Sequence, residues 1–96
     1  MYARLTTFQG TANKITEAIP VVENDVIPGI KVLAGFKHGY WFADRKSGRM
    51  LDLTLFETDA ELQSTEAAAS QIRRNFGDKL GYEVKNVERF ELIAHA

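Results

Sequence analysis

The chain has 96 residues, a mass of 10.8 kDa and a formal net charge of −1, which corresponds to one domain. Hydrophobic residues make up 45% and charged residues 26%, as in globular proteins, and the balanced charge predicts neither a nucleic acid nor a membrane surface as partner. The lack of cysteine excludes disulfides, thiolate catalysis and cysteine-ligated metals. No apolar run approaches the roughly 20 residues of a membrane span, and the first residues do not resemble a signal peptide, so we expect a cytoplasmic protein.

The first third of the chain predicts a strand followed by an interrupted helix. Residues 2–9 are rich in β-forming side chains and predict the first strand. Residues 11–34 repeat apolar positions with a helical period. Pro20 lacks a backbone N–H, so we expect a kink or break near it. Pro28 and Gly29 mark a second interruption, after which a further helical turn is expected.

The middle of the chain predicts a β-hairpin. Residues 36–44 and 49–57 are strand-like and contain no proline. Between them lies a polar turn that ends in Gly48, a residue that tolerates a positive φ. These are the second and third predicted strands.

The last third predicts a helix and a final strand. Thr58 and Glu61 have the spacing of a capping box, which predicts the start of a helix; Gly77 should end or weaken this helix, and Gly81 marks a last turn. Residues 82–93 alternate imperfectly between apolar and polar side chains, and a bulge near Asn86 would reconcile the two halves.

The predicted element order is therefore β-α-β-β-α-β within a single domain that spans residues 1–96. One four-stranded antiparallel sheet with two helices on one face is the ferredoxin-like α+β plait. We expect this fold for the chain.

Strand parity predicts two different faces for the sheet. A one-residue bulge at Gly48 would pair even positions with even positions across the hairpin. One face is then apolar, and we expect the helices to cover it; it carries Ala3, Leu5, Gly39, Trp41, Ala43, Leu51, Leu53 and Leu55. The other face mixes aromatic with polar side chains; it carries Tyr2, Arg4, Thr6, Phe8, Phe36, His38, Tyr40, Phe42, Met50, Asp52, Thr54 and Phe56.

An aromatic face left bare by the helices predicts a homodimer that buries sheet against sheet. Contiguous apolar patches of this size are rare on monomers, and aromatic enrichment is typical of interfaces. The interface residues expected on this basis are Arg4, His38, Tyr40, Phe42, Asp52 and Phe56. The alternative is a monomer with scattered exposed aromatic side chains.

The charged residues suggest structural roles before catalytic ones. Arg4 and Asp52 share parity on neighbouring strands, so we expect an ion pair in the interface; the alternative is Asp52 as a base tuned by Arg4. His38 is expected to be a hydrogen-bonded interface residue. Arg73 and Arg74 lie late in the second helix, where solvent and the helix dipole suit them.

Four short motifs along the chain carry a family resemblance. They are Tyr2-Ala3-Arg4-Leu5-Thr6, Ala34-Gly35-Phe36, Asp44-Arg45-Lys46-Ser47-Gly48-Arg49 and Leu53-Thr54-Leu55-Phe56-Glu57-Thr58. The last three are similar to a Pro-Gly-Phe, a "D-x-x-T-G" turn and a "T-L-W-E-S" segment. In this order they resemble the antibiotic-biosynthesis-monooxygenase (ABM) domains of the dimeric α/β-barrel superfamily over essentially the whole chain.

The resemblance implies a homodimer and a possible cofactor-independent oxygenase. A haem-degrading branch of the family has an asparagine where Ala3 stands here, and it needs a tryptophan and a histidine on the second helix. Residues 58–80 contain neither. We therefore expect no haem or other cofactor, and no histidine cluster predicts a metal site.

Two functions remain open from the sequence. The first is a pocket between sheet and helices that binds a small apolar or aromatic molecule, with O₂ reacting directly with an electron-rich substrate anion. The predicted pocket residues are Leu5, Thr7, Trp41, Leu53 and Phe76, although plain core packing is the favoured interpretation of Trp41. The second is a non-catalytic dimeric binding or stress-response module. An open pocket of a few hundred Å³ beside Trp41 would favour the first.

Overall fold

The computed structural model describes residues 1–96 and contains one four-stranded antiparallel sheet with its helices on one face. The strand order is β2-β3-β1-β4. The strands are β1 (Tyr2–Gln9), β2 (Phe36–Ala43), β3 (Arg49–Phe56) and β4 (Glu83–Glu91). The α-helices are α1 (Ile15–Val21), α2 (Ile27–Lys31), α3 (Asp59–Ser64) and α4 (Glu66–Leu80). This is the ferredoxin-like α+β plait predicted from the sequence.

The first helical region contains a π-helical segment, Val22–Val26, which joins α1 to α2. Pro20 lies inside α1. Two residues later the backbone hydrogen bonds change from the α-helical to the π-helical pattern, so the interruption predicted near this proline takes the form of a π segment. Val22 and Val26 point inward and are buried. Such segments occur mostly as local bulges and are frequent at functional sites.

The second helical region is divided at Thr65, where a single helix was expected. Its start agrees with the predicted capping box, since the Thr58 hydroxyl accepts a hydrogen bond from the Glu61 backbone N–H at 3.1 Å. The Thr65 hydroxyl donates to the backbone carbonyl of Glu61 at 2.8 Å. A threonine hydroxyl that bonds back to the preceding turn competes with the helical ladder. The division positions the start of α4 beside the sheet.

The hairpin register differs from the one predicted. Ala43 pairs with Met50, so odd positions of β2 oppose even positions of β3. The irregularity lies between Phe36 and His38 and not at Gly48. Gly48 has a φ of +80° and abuts the backbone near Gly10, so its role is to let two turns approach closely.

The strand β4 contains the predicted irregularity. Its register against β1 shifts between Thr7, which pairs with Asn86, and Phe8, which pairs with Val84. The bulge expected near Asn86 is therefore confirmed, and it reconciles the two parities of the last strand.

The helices cover the face of the sheet opposite to the one predicted. The helix-covered face carries Arg4, Thr6, Phe8, Gly39, Trp41, Ala43, Met50, Asp52, Thr54 and Phe56. Phe8 packs edge-on against Phe76 of α4, with ring centroids 5.3 Å apart. The prediction was wrong because it ranked the faces by apolar content, whereas the charged Arg4 of this face finds its partners, Leu62 and Glu66, on the helices. No helix here has the length and apolarity needed to cross a membrane.

The other face, called the open face below, has no helix over it. It carries Ala3, Leu5, Thr7, His38, Tyr40, Phe42, Leu51, Leu53, Leu55 and Phe90. Tyr40, Phe42 and Phe90 are each about half exposed. The chain thus presents a largely apolar sheet surface to its surroundings.

Candidate functional site

A small cavity lies between the helix-covered face and the helices. Its volume is about 20 Å³, which is room for about one water molecule. The lining is mostly apolar and is interrupted by one patch of polar groups; it comprises Arg4, Phe8, Val22, Val26, Ile30, Trp41, Met50, Leu51, Asp52, Thr54, Ala69, Ile72, Arg73 and Phe76. An apolar enclosure with a few converging polar groups is the usual composition of a small-molecule site.

Two arginines share one carboxylate at the edge of this cavity. The Nε of Arg4 lies 2.6 Å from Oε2 of Glu66, and the other oxygen of that carboxylate contacts Arg73. The Nη2 of Arg4 donates to the backbone carbonyl of Leu62 at 2.5 Å. The division of the second helical region at Thr65 brings the first turn of α4, with Glu66, to the guanidinium of β1. Buried charges need such partners, so these contacts fix the two guanidinium groups.

Asp52 is the acidic group on the floor of the cavity. It lies opposite Thr6 on β1 and opposite Trp41 on β2, and it is only 8% exposed. Burial raises the pKa of the Asp52 carboxyl to about 6, while the Thr6 hydroxyl and the charges of Arg73 and Arg4 oppose the shift. A carboxyl with this pKa is ionised at neutral pH and still able to accept a proton.

A larger groove runs outside the cavity, between the first helical region and the exposed edge of β2. It has a volume of about 510 Å³. Three side chains, Val22, Trp41 and Met50, line both this outer groove and the cavity. They therefore form the partition between the small enclosed space and the surface. The volume anticipated beside Trp41 exists on the outer side of this partition.

The structure separates the predicted pocket residues into two groups. Trp41 and Phe76 line the cavity. Leu5, Thr7 and Leu53 are on the open face, on the far side of the sheet from the cavity. Their placement follows from the incorrect choice of the helix-covered face.

The predicted interface residues divide in the same way. Arg4, Asp52 and Phe56 lie under the helices, where the dimer-face placement was wrong. The ion pair expected between Arg4 and Asp52 is replaced by the ion pair of Arg4 with Glu66. His38, Tyr40 and Phe42 lie on the open face, which is the face free to meet another molecule.

Two residues of the site were not recognised from the sequence. Glu66 carried no signal beyond its place in a helix. Arg73 was expected in solvent beside Arg74, yet it is only 9% exposed and turns inward, whereas Arg74 is exposed. Glu66 and Arg73 are two helical turns apart, so both lie on one face of α4. This spacing was the only sign in the sequence that the two side chains could meet.

The structure contains no group of three or more histidine, cysteine, aspartate or glutamate side chains that could hold a metal ion. The polar groups that line the cavity are instead two guanidiniums, one carboxyl and one hydroxyl, from Arg4, Arg73, Asp52 and Thr54. This donor set suits the binding of an oxygen atom that carries negative charge.

Comparison with solved structures shows which known folds this chain resembles. The chain is similar to a Deinococcus radiodurans protein assigned to the antibiotic biosynthesis monooxygenases, with a TM-score of 0.74, 12% identity, and coverage of 100% of this chain and 96% of that one. HapK from Hahella chejuensis gives a TM-score of 0.76 at 9% identity, covering 100% and 96%. The monooxygenase from the gene ActVA-Orf6 of Streptomyces coelicolor, in complex with nanaomycin D, gives 0.73 at 10% identity, covering 99% and 89%.

No protein-family sequence model matches the chain, and no curated protein matches it by sequence. The likeness therefore lies in the fold. The chain has an ABM-like fold of the ferredoxin-like class, as the sequence motifs indicated.

Proposed function

We propose that this protein is an ABM-like homodimer that binds a small, electron-rich aromatic molecule between sheet and helices and promotes its reaction with O₂ without a cofactor. The observation that carries the proposal is the buried Asp52 carboxyl, which lines an apolar cavity together with Trp41, Arg4 and Arg73 and is influenced by the charges of both arginines. The solved structure of the ActVA-Orf6 monooxygenase in complex with nanaomycin D supports the binding of a small organic molecule here.

The proposed chemistry begins with a proton transfer. The ionised carboxylate of Asp52 takes a proton from the bound substrate, and the guanidiniums of Arg4 and Arg73 stabilise the resulting anion. The electron-rich anion reduces O₂ and forms a carbon–oxygen bond, which gives a hydroperoxide after protonation. Loss of water from a hydroperoxide at a CH group leaves a carbonyl, so one O₂ yields one quinone oxygen and one water.

The ligand would enter from the outer groove. The enclosed cavity holds about 20 Å³, so an aromatic ring must lie in the groove and displace the partition of Val22, Trp41 and Met50. Trp41 offers a flat surface on which such a ring can stack.

A direct test uses 1,8-dihydroxyanthrone, whose oxidation to the anthraquinone consumes one O₂. We expect the protein to accelerate oxygen uptake and product formation above the spontaneous rate. Asp52→Asn should reduce the acceleration by about 10²-fold, since it removes the proton acceptor at nearly constant volume. Thr7→Val, on the open face, is the matched control and should leave the rate unchanged. A protein that neither accelerates the reaction nor binds the anthrone contradicts the proposal.

The second candidate function, a non-catalytic binding module, is favoured by the small size of the enclosed cavity. The same experiment distinguishes this second candidate from the first. A module of this kind binds the anthrone without accelerating its oxidation, and Asp52→Asn then has no effect on product formation.

The homodimer of the proposal is formed through the open face. Support comes from the absence of any helix over this face and from its half-exposed Tyr40, Phe42 and Phe90. An aromatic and leucine-rich sheet surface of this kind is rare on monomers and typical of the centre of an interface. A second copy of the chain is the partner that offers the same surface.

A further inference from the structure

Two polar atoms of residues that line the cavity have no hydrogen-bond partner within the protein. They are Nη1 of Arg4 and Oγ1 of Thr54, and both atoms are buried. The other guanidinium nitrogens of Arg4 contact Leu62 and Glu66. The guanidinium also lies over the ring of Phe56, with 5.2 Å between Cζ and the ring centroid, so it is held in place and cannot turn to another acceptor. A buried donor without an acceptor is unfavourable, so these two donors require an acceptor that comes from outside the protein.

The charged groups around the cavity determine which acceptor is favoured there. Arg4 on β1 and Arg73 on α4 are positive, and Glu66 of α4 contacts both of them. Asp52 on β3 is the other acidic group, whereas β2 and the first helical region contribute only uncharged side chains to the lining. The four groups sum to zero while Asp52 is ionised. Once Asp52 is protonated they sum to +1 and its O–H is a third donor, so an anion is then favoured.

The size and the walls of the cavity limit this anion to one weakly hydrated atom. A volume of about 20 Å³ has room for about one water molecule and is too small for a carboxylate, a phosphate or a sulfate. Apolar side chains, among them Phe8, Val26 and Phe76, form most of the wall. Because such a wall replaces none of the lost hydration, it favours an anion that gives up water easily. Among monoatomic anions this selects chloride or bromide over fluoride.

We propose that the cavity binds one chloride ion, which accepts hydrogen bonds from Nη1 of Arg4 and the hydroxyl of Thr54. Binding is coupled to the charge of Asp52, because the ion and an ionised carboxylate compete for the same positive field. In the filled site Asp52 holds a proton taken from solvent, so the four charged groups and the ion together are neutral. This inference does not depend on the proposed function, since chloride occupies the site whether or not the protein is an oxygenase.

The test uses bromide as the probe, because it is similar to chloride, quenches indole fluorescence and scatters X-rays anomalously. Trp41, the single tryptophan of the chain, lines the cavity. At pH 5, sodium bromide should quench Trp41 along a saturable curve that chloride competes away and fluoride at equal ionic strength does not. At pH 7.5 the apparent affinity should be about 30-fold lower, since burial gives Asp52 a pKa of about 6 and only about 3% of it is protonated there. A crystal soaked in bromide at pH 5 should show an anomalous peak within hydrogen-bond distance of Nη1 of Arg4.

Three variants assign the effect to the cavity. Thr54→Val removes one donor with little change in volume and should weaken bromide binding several-fold at pH 5. Asp52→Asn leaves a charge of +1 around the cavity at every pH, so its bromide affinity at pH 7.5 should approach that of the wild type at pH 5. Thr7→Val makes the same change as Thr54→Val on the open face of the sheet and should bind bromide like the wild type.

Quenching that rises linearly with bromide and is equal at pH 5 and pH 7.5 is collisional and would overturn the inference. A bromide-soaked crystal with no anomalous peak in the cavity would overturn it as well, because the cavity then takes a water molecule only. Neither result changes oxygen uptake with the anthrone, so the failure of this inference and the failure of the proposed function are distinguishable.

Discussion

Asp52 and Trp41 lie directly opposite each other across the β2–β3 ladder, so the carboxyl and the indole occupy one face of the sheet. Cross-strand neighbours of this kind have Cβ atoms about 5 Å apart. The ionisation of Asp52 therefore changes the electric field at the only indole in the chain.

The first prediction follows from this pair. Trp41 emission should change with pH in a transition centred near pH 6, where burial places the pKa of Asp52. Asp52→Asn should remove the transition. His38→Gln, on the open face of β2, is the control and should keep it. A wild-type protein whose emission is flat between pH 5 and pH 7 would show that Asp52 has an ordinary carboxyl pKa.

The second prediction concerns stability. The pKa of Asp52 is about 6 in the folded chain and 3.8 in a free carboxyl, so the folded state holds its proton to higher pH than the unfolded state. The stability that this group contributes is complete below pH 4 and is lost as the pH rises through 6. At pH 7, Asp52→Asn should raise the free energy of unfolding by about 2–3 kcal/mol. Urea melts at pH 4 and pH 7 measure the difference, which should vanish at pH 4.

The third prediction concerns the carboxylate shared by Arg4 and Arg73. Glu66→Gln leaves two largely buried guanidiniums without their partner and should cost about 2 kcal/mol, less than the full effect of a buried pair because Glu66 is 38% exposed. It should also lower the pKa of Asp52, since a negative charge is removed from its neighbours. Glu57→Gln is the control; its ion pair with Lys37 is exposed, with a separation of 3.7 Å, and its loss should cost less than about 1 kcal/mol.

The fourth prediction compares two aromatic side chains. Phe56 is fully buried, and Phe56→Ala should destabilise the chain by about 3–5 kcal/mol. Trp41 is half-buried in the partition, so Trp41→Ala should cost only about 2 kcal/mol, while it abolishes ligand binding. Denaturant melts of both variants rank the two costs. The reverse order would mean that Trp41 is a core residue with no room for a ligand beside it.

The fifth prediction concerns assembly. At tens of micromolar, wild-type protein should sediment with twice the 10.8 kDa mass of one chain. Tyr40→Glu and Phe42→Glu each place a charge on the open face, once per subunit, and should shift the protein toward monomer. Lys46→Ala, in the exposed hairpin turn, should have no effect. A dimer that survives both charge substitutions would use another surface.

The order of helices and strands could be predicted from the sequence because strands, turns and helix caps each depend on short-range sequence features. The capping box at Thr58, the bulge near Asn86 and the proline-linked interruption of the first helix each depend on a few adjacent residues. Which side chains of β2 share a face with those of β3 depends on register instead. One bulge at the start of β2, and not at Gly48, reverses the pairing of the hairpin, and the two positions are indistinguishable by composition.

The site itself was only partly predictable for a similar reason. Arg4 and Glu66 are 62 positions apart in the chain, and their contact depends on how α4 lies over the sheet. An isolated glutamate on a helix is usually solvated, so nothing marked this one as a partner. Strand parity did place Trp41 toward the helices, because its strand keeps the expected alternation.

The π segment between Pro20 and Pro28 affects how fast a ligand can reach the cavity. Two buried valines, Val22 and Val26, are the side chains that this segment places over the cavity. Exposing both costs about 3–6 kcal/mol, which corresponds to an open fraction of roughly 10⁻² to 10⁻⁴. Association through this opening is slowed by the same fraction, so a bound molecule would arrive and depart slowly even where its affinity is modest. For a ligand that enters as proposed, this short stretch of helix therefore sets the residence time separately from the strength of binding.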